Sequence, residues 1–279
     1  MLKMQFDVNL HVDYAKAGLK VPAEQPHMSV YLQHASDEMP GKKDKPMMIV
    51  CPGGGYVFRS DREAEPIALQ YMAAGFQTAI VHYTVNPSPY PTAVLQLAEA
   101  VRQVRRHAAE WHVIPDQIYI SGFSAGGHLA CTLGTLWNDA LFHDVMGGDC
   151  DWRPDAQVLS YPVVTMGELT HAGSRLSLLG ETPSDALVEK LSLEKSVSAE
   201  TVPTFIWHTM EDTVVPVENT MNYACALRRN GVPFEMHIYE CGRHGLATCA
   251  EMTANVPTDV NPDLATWIPL AISFLRRRK

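Results

Sequence analysis

The amino-acid sequence predicts an α/β fold: a mostly parallel sheet covered by helices on both faces. Short, nearly continuous apolar runs recur along its 279 residues, as strands buried on both faces require. Segments of helical period separate most of these runs, which is how parallel strands are joined. No internal repeat, low-complexity tract or long linker interrupts the rhythm, so one domain spanning 1–279 is the expected organisation.

The elements follow in order. The runs MSVYL (28–32) and PMMIVC (46–51) have no helix between them, which predicts an antiparallel start. TAIVHY (78–83) comes next, then a helix over about 92–110, where Val94, Leu97, Ala98, Val101, Val104 and Ala108 share one face. Further strands are expected at IYIS (118–121), QVLSY (157–161), TFIWHT (204–209) and FEMHIYE (234–240). Leu264, Trp267, Ile268, Ala271, Phe274 and Leu275 give a C-terminal helix, whose closing RRRK suits the negative end of a helix dipole. Residues 163–200 break the pattern with one or two short helices and polar turns between two strands. Loops leaving the carboxyl ends of parallel strands carry ligand sites, so this excursion is a candidate pocket wall; the plainer reading is surface decoration.

Composition narrows the function classes. With 46% hydrophobic and 19% charged residues the chain has an ordinary soluble composition. A formal net charge of −9 argues against nucleic acid or an anionic membrane as the main partner. The first residues lack the uninterrupted apolar core of a signal peptide, and no run approaches membrane-spanning length. Six scattered cysteines without a C-x-x-C pair read as reduced thiols. A cytoplasmic monomer or homo-oligomer is the expectation.

The chemistry begins at ISGFSAGGHLA (120–130), where Gly122, Ala125, Gly126 and Gly127 surround Ser124. Gly122-Phe123-Ser124-Ala125-Gly126 fits G-x-S-x-G, with a strand running in and helix-forming sequence running out, the context that motif requires. A sharp strand-to-helix turn of this kind exposes the hydroxyl and aims helix N-terminal amides at whatever bonds to it. The competing reading is tight packing alone.

A serine nucleophile needs a base, and the base an orienting acid. Met210-Glu211-Asp212 forms an acid-rich turn after one strand, and Cys241-Gly242-Arg243-His244-Gly245 places a histidine after the next. The candidate triad is Ser124, Asp212 and His244, with Glu211 as the alternative acid. His208 and His237 lie inside strands, where a satisfied imidazole is expected. His128 follows Ser124 by four residues along the helix and reads as structural.

Oxyanion donors are the third requirement. The Ala125 N–H is one candidate, and CPGGGYVF (51–58) supplies bare backbone after an early central strand, with Gly54 and Gly55 the best-placed donors. No G-K-[ST] follows and the spacing fails G-x-G-x-x-G, which disfavours a phosphate loop; a purely structural turn stays open.

The stretches CPGGGY, EAEPIALQYMAAGFQTAIVHY, GFSAGGHLA, SRLSLLG, PTFIWHTMEDTVVPVENT and GVPFEMHIYECGRHGL together resemble the α/β-hydrolase superfamily. The resemblance is to its lid-less bacterial acetylesterase or acetyl-xylan-esterase-like group, related to hormone-sensitive lipase, and spans about residues 46–250. It implies an α/β-hydrolase fold without a large cap, a Ser124–Asp212–His244 triad and an oxyanion hole from Gly54, Gly55 and Ala125. In the better-known lipases a histidine precedes the glycine run; Pro52 stands there in this sequence.

GGDCDW (147–152) lacks the length and terminal Glu of a calcium loop, and His107 and His112 have no third ligand, so no metal and no cofactor is expected. The residues support a serine hydrolase acting through an acyl-enzyme, and the resemblance implies short acyl, chiefly acetyl, esters of carbohydrates or similar alcohols. Two alternatives stay open: a peptidase or amidase, and a non-catalytic small-molecule receptor. The first usually carries a further large domain for which this chain has no length. The second is disfavoured by the presence of all three triad members.

Overall fold

The computed structural model describes residues 4–39, 41 and 43–278. Residues 1–3 at the start, and Lys279 of the closing basic run, lie outside them. Eight strands form one sheet: β1 (Gln5–Asn9), β2 (His27–Tyr31), β3 (Lys45–Cys51), β4 (Gln77–His82), β5 (Val113–Phe123), β6 (Ala156–Ser160), β7 (Thr204–Thr209) and β8 (Phe234–Tyr239). Their spatial order is β1-β2-β4-β3-β5-β6-β7-β8. β2 pairs antiparallel with both β1 and β4, and every other pairing is parallel, so the antiparallel start is present.

The helices are α1 (Glu65–Ala73), α2 (Thr92–Arg106), α3 (Ala108–Trp111), α4 (Ser124–Leu136), α5 (Ala140–Met146), α6 (Ala172–Leu179), α7 (Asp185–Leu191), α8 (Leu193–Ser196), α9 (Glu218–Arg229), α10 (Pro262–Ala265) and α11 (Trp267–Arg276). Alternation along each central strand feeds two cores. Met47, Ile49, Ile118 and Ile120 pack with α2 and α4 on one face. Met48, Val50 and Tyr119 pack with α1 and α11 on the other. Burial on both sides is why the central strands read as continuous apolar runs.

Three expectations are corrected. β1 was not among the expected strands: QFDVN carries only Phe6 and Val8 on its inner side, too short an alternation to stand out, and it is fixed by pairing with β2. The helix expected to 110 ends at Arg106, where His107 stacks on Trp111 with ring centroids 4.8 Å apart and α3 begins. The C-terminal helix is broken at Thr266, because Pro269 has no N–H to offer the carbonyl of Ala265. Residues 163–200 contain α6, α7 and α8, and no large cap covers the carboxyl end of the sheet among the described residues.

Candidate active site

β5 enters α4 through a turn at Ser124, whose φ of +52° lies in the left-handed region. That conformation costs a residue with a Cβ roughly 1–2 kcal/mol, so the surroundings must hold it. They do so by close approach. A Cβ on Gly122 would fall 2.2 Å from the Gly126 carbonyl oxygen, and one on Gly126 would fall 2.2 Å from Cys51 O and 2.3 Å from Pro52 O. The small residues around the serine are therefore steric requirements of the bend and of its contact with the end of β3.

The loops after β7 and β8 meet this turn. His244 Nε2 lies 2.7 Å from Ser124 Oγ, and His244 Nδ1 lies 2.6 Å from Asp212 Oδ2. Asp212 is buried, and its Oδ1 accepts the N–H groups of Val214 and Val215 at 2.9 Å each. Glu211 instead accepts the Gly242 N–H at 2.9 Å, so the geometry brings Asp212, not Glu211, to the imidazole. Burial alone would raise the Asp212 carboxyl, yet hydrogen bonds from His208, His244 and Val215 together hold it well below the usual carboxylate range.

His208 is a satisfied core histidine, as expected of its strand position, but it also touches the acid. Its Nε2 lies 3.0 Å from the Val215 carbonyl and 3.1 Å from Asp212 Oδ2. A carbonyl only accepts, so Nε2 carries a proton, shared between the two oxygens, and Thr220 Oγ1 meets Nδ1 at 2.8 Å. His128 is structural: fully buried and held down to about 4 by desolvation, it bridges Tyr56 Oη and the Leu191 carbonyl at 3.0 Å each.

The glycine run lines the same cleft as Ser124 and His244. Gly53 N–H is already engaged, donating to Glu63 Oε2 at 2.8 Å. Neither Gly54 nor Gly55 N–H has an acceptor among the described residues, and Ala125 N–H sits in the first turn of α4, where no intrahelical carbonyl reaches it. All three amides remain candidates for a developing negative charge, and the left-handed φ of Gly54 (+125°) and Gly55 (+64°) turns the loop there.

Glu63 was not legible beforehand. Its carboxylate is buried, accepts Gly53 N–H and accepts the Tyr161 hydroxyl at 2.7 Å; Tyr161 in turn accepts the Ala247 N–H at 3.0 Å. The Tyr161 ring lies edge-on to His244, centroids 5.0 Å apart. One chain of hydrogen bonds thus ties the glycine loop to the histidine loop. Desolvation pushes the Glu63 carboxyl above its usual range, against the pull of the Tyr161 and Gly53 hydrogen bonds. The sequence signal, one of three acids within SDREAEP, has no spacing that marks it. On the far side of the histidine loop, Arg243 grips Asp259 with two bonds of 2.7 and 2.6 Å.

The resulting cleft, about 660 Å³, is open to solvent, with exposed Val57, Phe58, Leu176 and Val214 at its walls. His171, Gly173, Leu176 and Ser177 are among its lining residues. Among the described residues no cluster of histidine, cysteine or acidic side chains is arranged to hold a metal ion.

A family model described as BD-FAE matches residues 30–227. The chain is 37% identical over 225 residues to a protein named endo-1,4-beta-xylanase B of Butyrivibrio fibrisolvens, covering 79% of this chain and 34% of that one. It is 29% identical over 204 residues to an acetylxylan esterase of Xylanibacter ruminicola, covering 71% and 40%. The chain thus spans well under half of these relatives. Among solved structures, the acetyl ester-xyloside bifunctional hydrolase from Caldicellulosiruptor lactoaceticus superposes with a TM-score of 0.79 at 37% identity, over 92% of this chain and 89% of that one.

Proposed function

The chain belongs to the BD-FAE family and has the α/β-hydrolase fold, and from that premise we propose that it is a serine carboxylesterase releasing acetyl and other short acyl groups from carbohydrate esters. The observation that carries this is the unbroken sequence Ser124 Oγ, His244, Asp212 at 2.7 and 2.6 Å. In the proposed cycle His244 Nε2 takes the Ser124 proton as Oγ attacks the ester carbonyl. The oxyanion is met by the N–H groups of Gly54, Gly55 and Ala125. His244 then gives its proton to the departing alcohol, leaving an acyl-serine. Water attacks the acyl-serine, passing a proton to His244 and on to Ser124 as the acid leaves. Asp212, ionised and buried, fixes the imidazole with Nδ1 protonated and stabilises its cation.

The acetyl and carbohydrate preference is supported by the names of the relatives and by an open cleft large enough for a sugar. No helix among the described residues is long and apolar enough to cross a membrane. We place the protein in the cytoplasm, a reading supported by six unpaired cysteines. The test is acetate release by purified protein from acetylated xylooligosaccharides and from acetylated monosaccharides. Release is expected from at least one class; none from either overturns the carbohydrate-esterase reading.

A further inference from the structure

α6 forms one wall of the cleft. His171 is its N-cap, and Gly173, Leu176 and Ser177, spaced as neighbours on one helix face, line the cleft with it. The Ser174 N–H donates to His171 Nδ1 at 3.2 Å, and Ser174 Oγ lies 2.8 Å from the same nitrogen. A ring nitrogen that accepts an N–H bears no proton, so in the neutral imidazole the proton sits on Nε2. Desolvation first, and then the neighbouring charge of His244, hold His171 below its ordinary value against the opposing pull of Asp212, which favours that neutral form.

The Cε1–Nε2 edge of the ring faces the glycines of the cleft. A Cβ on Gly173 would lie 3.2 Å from Cε1 and 3.6 Å from Nε2, and one on Gly55 would lie 3.9 Å from Cε1. Neither Nε2 nor Ser177 Oγ has a hydrogen-bond partner among the described residues. A fixed, unspent N–H donor therefore stands in a cleft whose exposed walls are otherwise largely apolar. Size decides what meets it. An acetyl group ends one bond beyond the carbonyl carbon attacked by Ser124, so whatever fills the rest of a cleft of about 660 Å³ is the alcohol half of the ester.

We propose that His171 Nε2–H, with the Ser177 hydroxyl further along α6, binds oxygens of the alcohol moiety and makes α6 the recognition wall for a polyhydroxylated alcohol; this rests on the esterase reading above. The test compares kcat/KM on an acetylated xylooligosaccharide with kcat/KM on phenyl acetate, whose alcohol half carries no further hydroxyl. His171→Asn is the informative variant, because asparagine is among the best N-caps and keeps α6 closed, while its side chain is too short to reach the alcohol. The sugar-to-aryl ratio should fall about tenfold in His171→Asn and by a smaller factor in Ser177→Ala, as loss of a single hydrogen bond implies. A wild-type ratio in both variants, or equal losses on both substrates, overturns the proposal. Wild-type protein that hydrolyses phenyl acetate but no acetylated sugar also overturns it, with the ester chemistry intact. Inactivity on both substrates overturns the esterase reading itself.

Discussion

Replacing Glu63 with alanine should damage catalysis without touching any reacting atom. The buried carboxylate accepts the Gly53 N–H and the Tyr161 hydroxyl, at 2.8 and 2.7 Å. Glu63→Ala leaves two buried donors unpaired, at about 1–3 kcal/mol each, so roughly 2–6 kcal/mol of stability is at stake. Against a total of about 5–15 kcal/mol for a typical protein, that is a large shift in urea midpoint. Gly53 also immediately precedes the two amides proposed to hold the oxyanion. Letting them drift should cost about 3 kcal/mol in the transition state, or on the order of a hundredfold in kcat. KM should change little, because the oxyanion is absent from the bound ground state. Glu63→Gln separates the terms: its amide oxygen still accepts Gly53 N–H while one N–H of its NH₂ donates to Tyr161 Oη, leaving the Tyr161 hydroxyl proton and the second amide N–H unpaired. It should recover most of kcat, because the Gly53 anchor survives, and little of the lost stability. The assays are urea unfolding and saturation kinetics on phenyl acetate. Wild-type kcat in folded Glu63→Ala protein would refute the positioning role.

The glycine loop makes a sharper prediction than substitution in general. A Cβ on Gly54 would lie 2.2 Å from the Phe58 carbonyl oxygen, whereas one on Gly55 meets only His171 Cε1 at 3.9 Å. Gly54→Ala should therefore lower kcat by on the order of a hundredfold, and Gly55→Ala should mainly cost about 1 kcal/mol of backbone strain; equal effects in kinetics and melting would contradict this. The Asp259 carboxyl is held down to about 2, chiefly by Arg243. A depressed carboxylate stabilises the fold above its unfolded value and loses that contribution as pH falls. Asp259→Asn should accordingly flatten the decline of Tm between about pH 4 and pH 2. An unchanged slope would remove Asp259 as a source of acid sensitivity. Acyl chains beyond butyryl should gain little on aryl esters and activity should fall by octanoyl, because the open cleft cannot bury each methylene for its full ~0.8 kcal/mol. A kcat/KM that climbs through decanoyl would show an enclosed acyl tunnel.

The sheet is legible because strands buried on both faces leave long apolar runs; β1 is not, because an edge strand with two inward side chains leaves almost no pattern. Ser124, Asp212 and His244 were legible from chain order and from strand-end turns, and the structure brings those three side chains together. Glu63, Tyr161 and His171 were not. Glu63 and Tyr161 meet across a long stretch of sequence, and His171 stands out only because α6 lines the cleft of Ser124; no periodicity encodes either. The strand position of His208 predicts a core residue, which it is, but its bond to Asp212 depends on how the β7 turn folds back. The breaks at His107 and Thr266 show how one local conformation overrides a continuous apolar stripe.

Ser124 is the proposed nucleophile, made reactive by His244. The direct measurement is covalent labelling with a fluorophosphonate, followed by mass spectrometry of the digested protein. Wild-type protein should carry one adduct on the peptide containing Ser124. Ser124→Ala should carry none, and His244→Ala should label slower by orders of magnitude for want of the base. An adduct on any other residue, or equal labelling of Ser124→Ala, would contradict it.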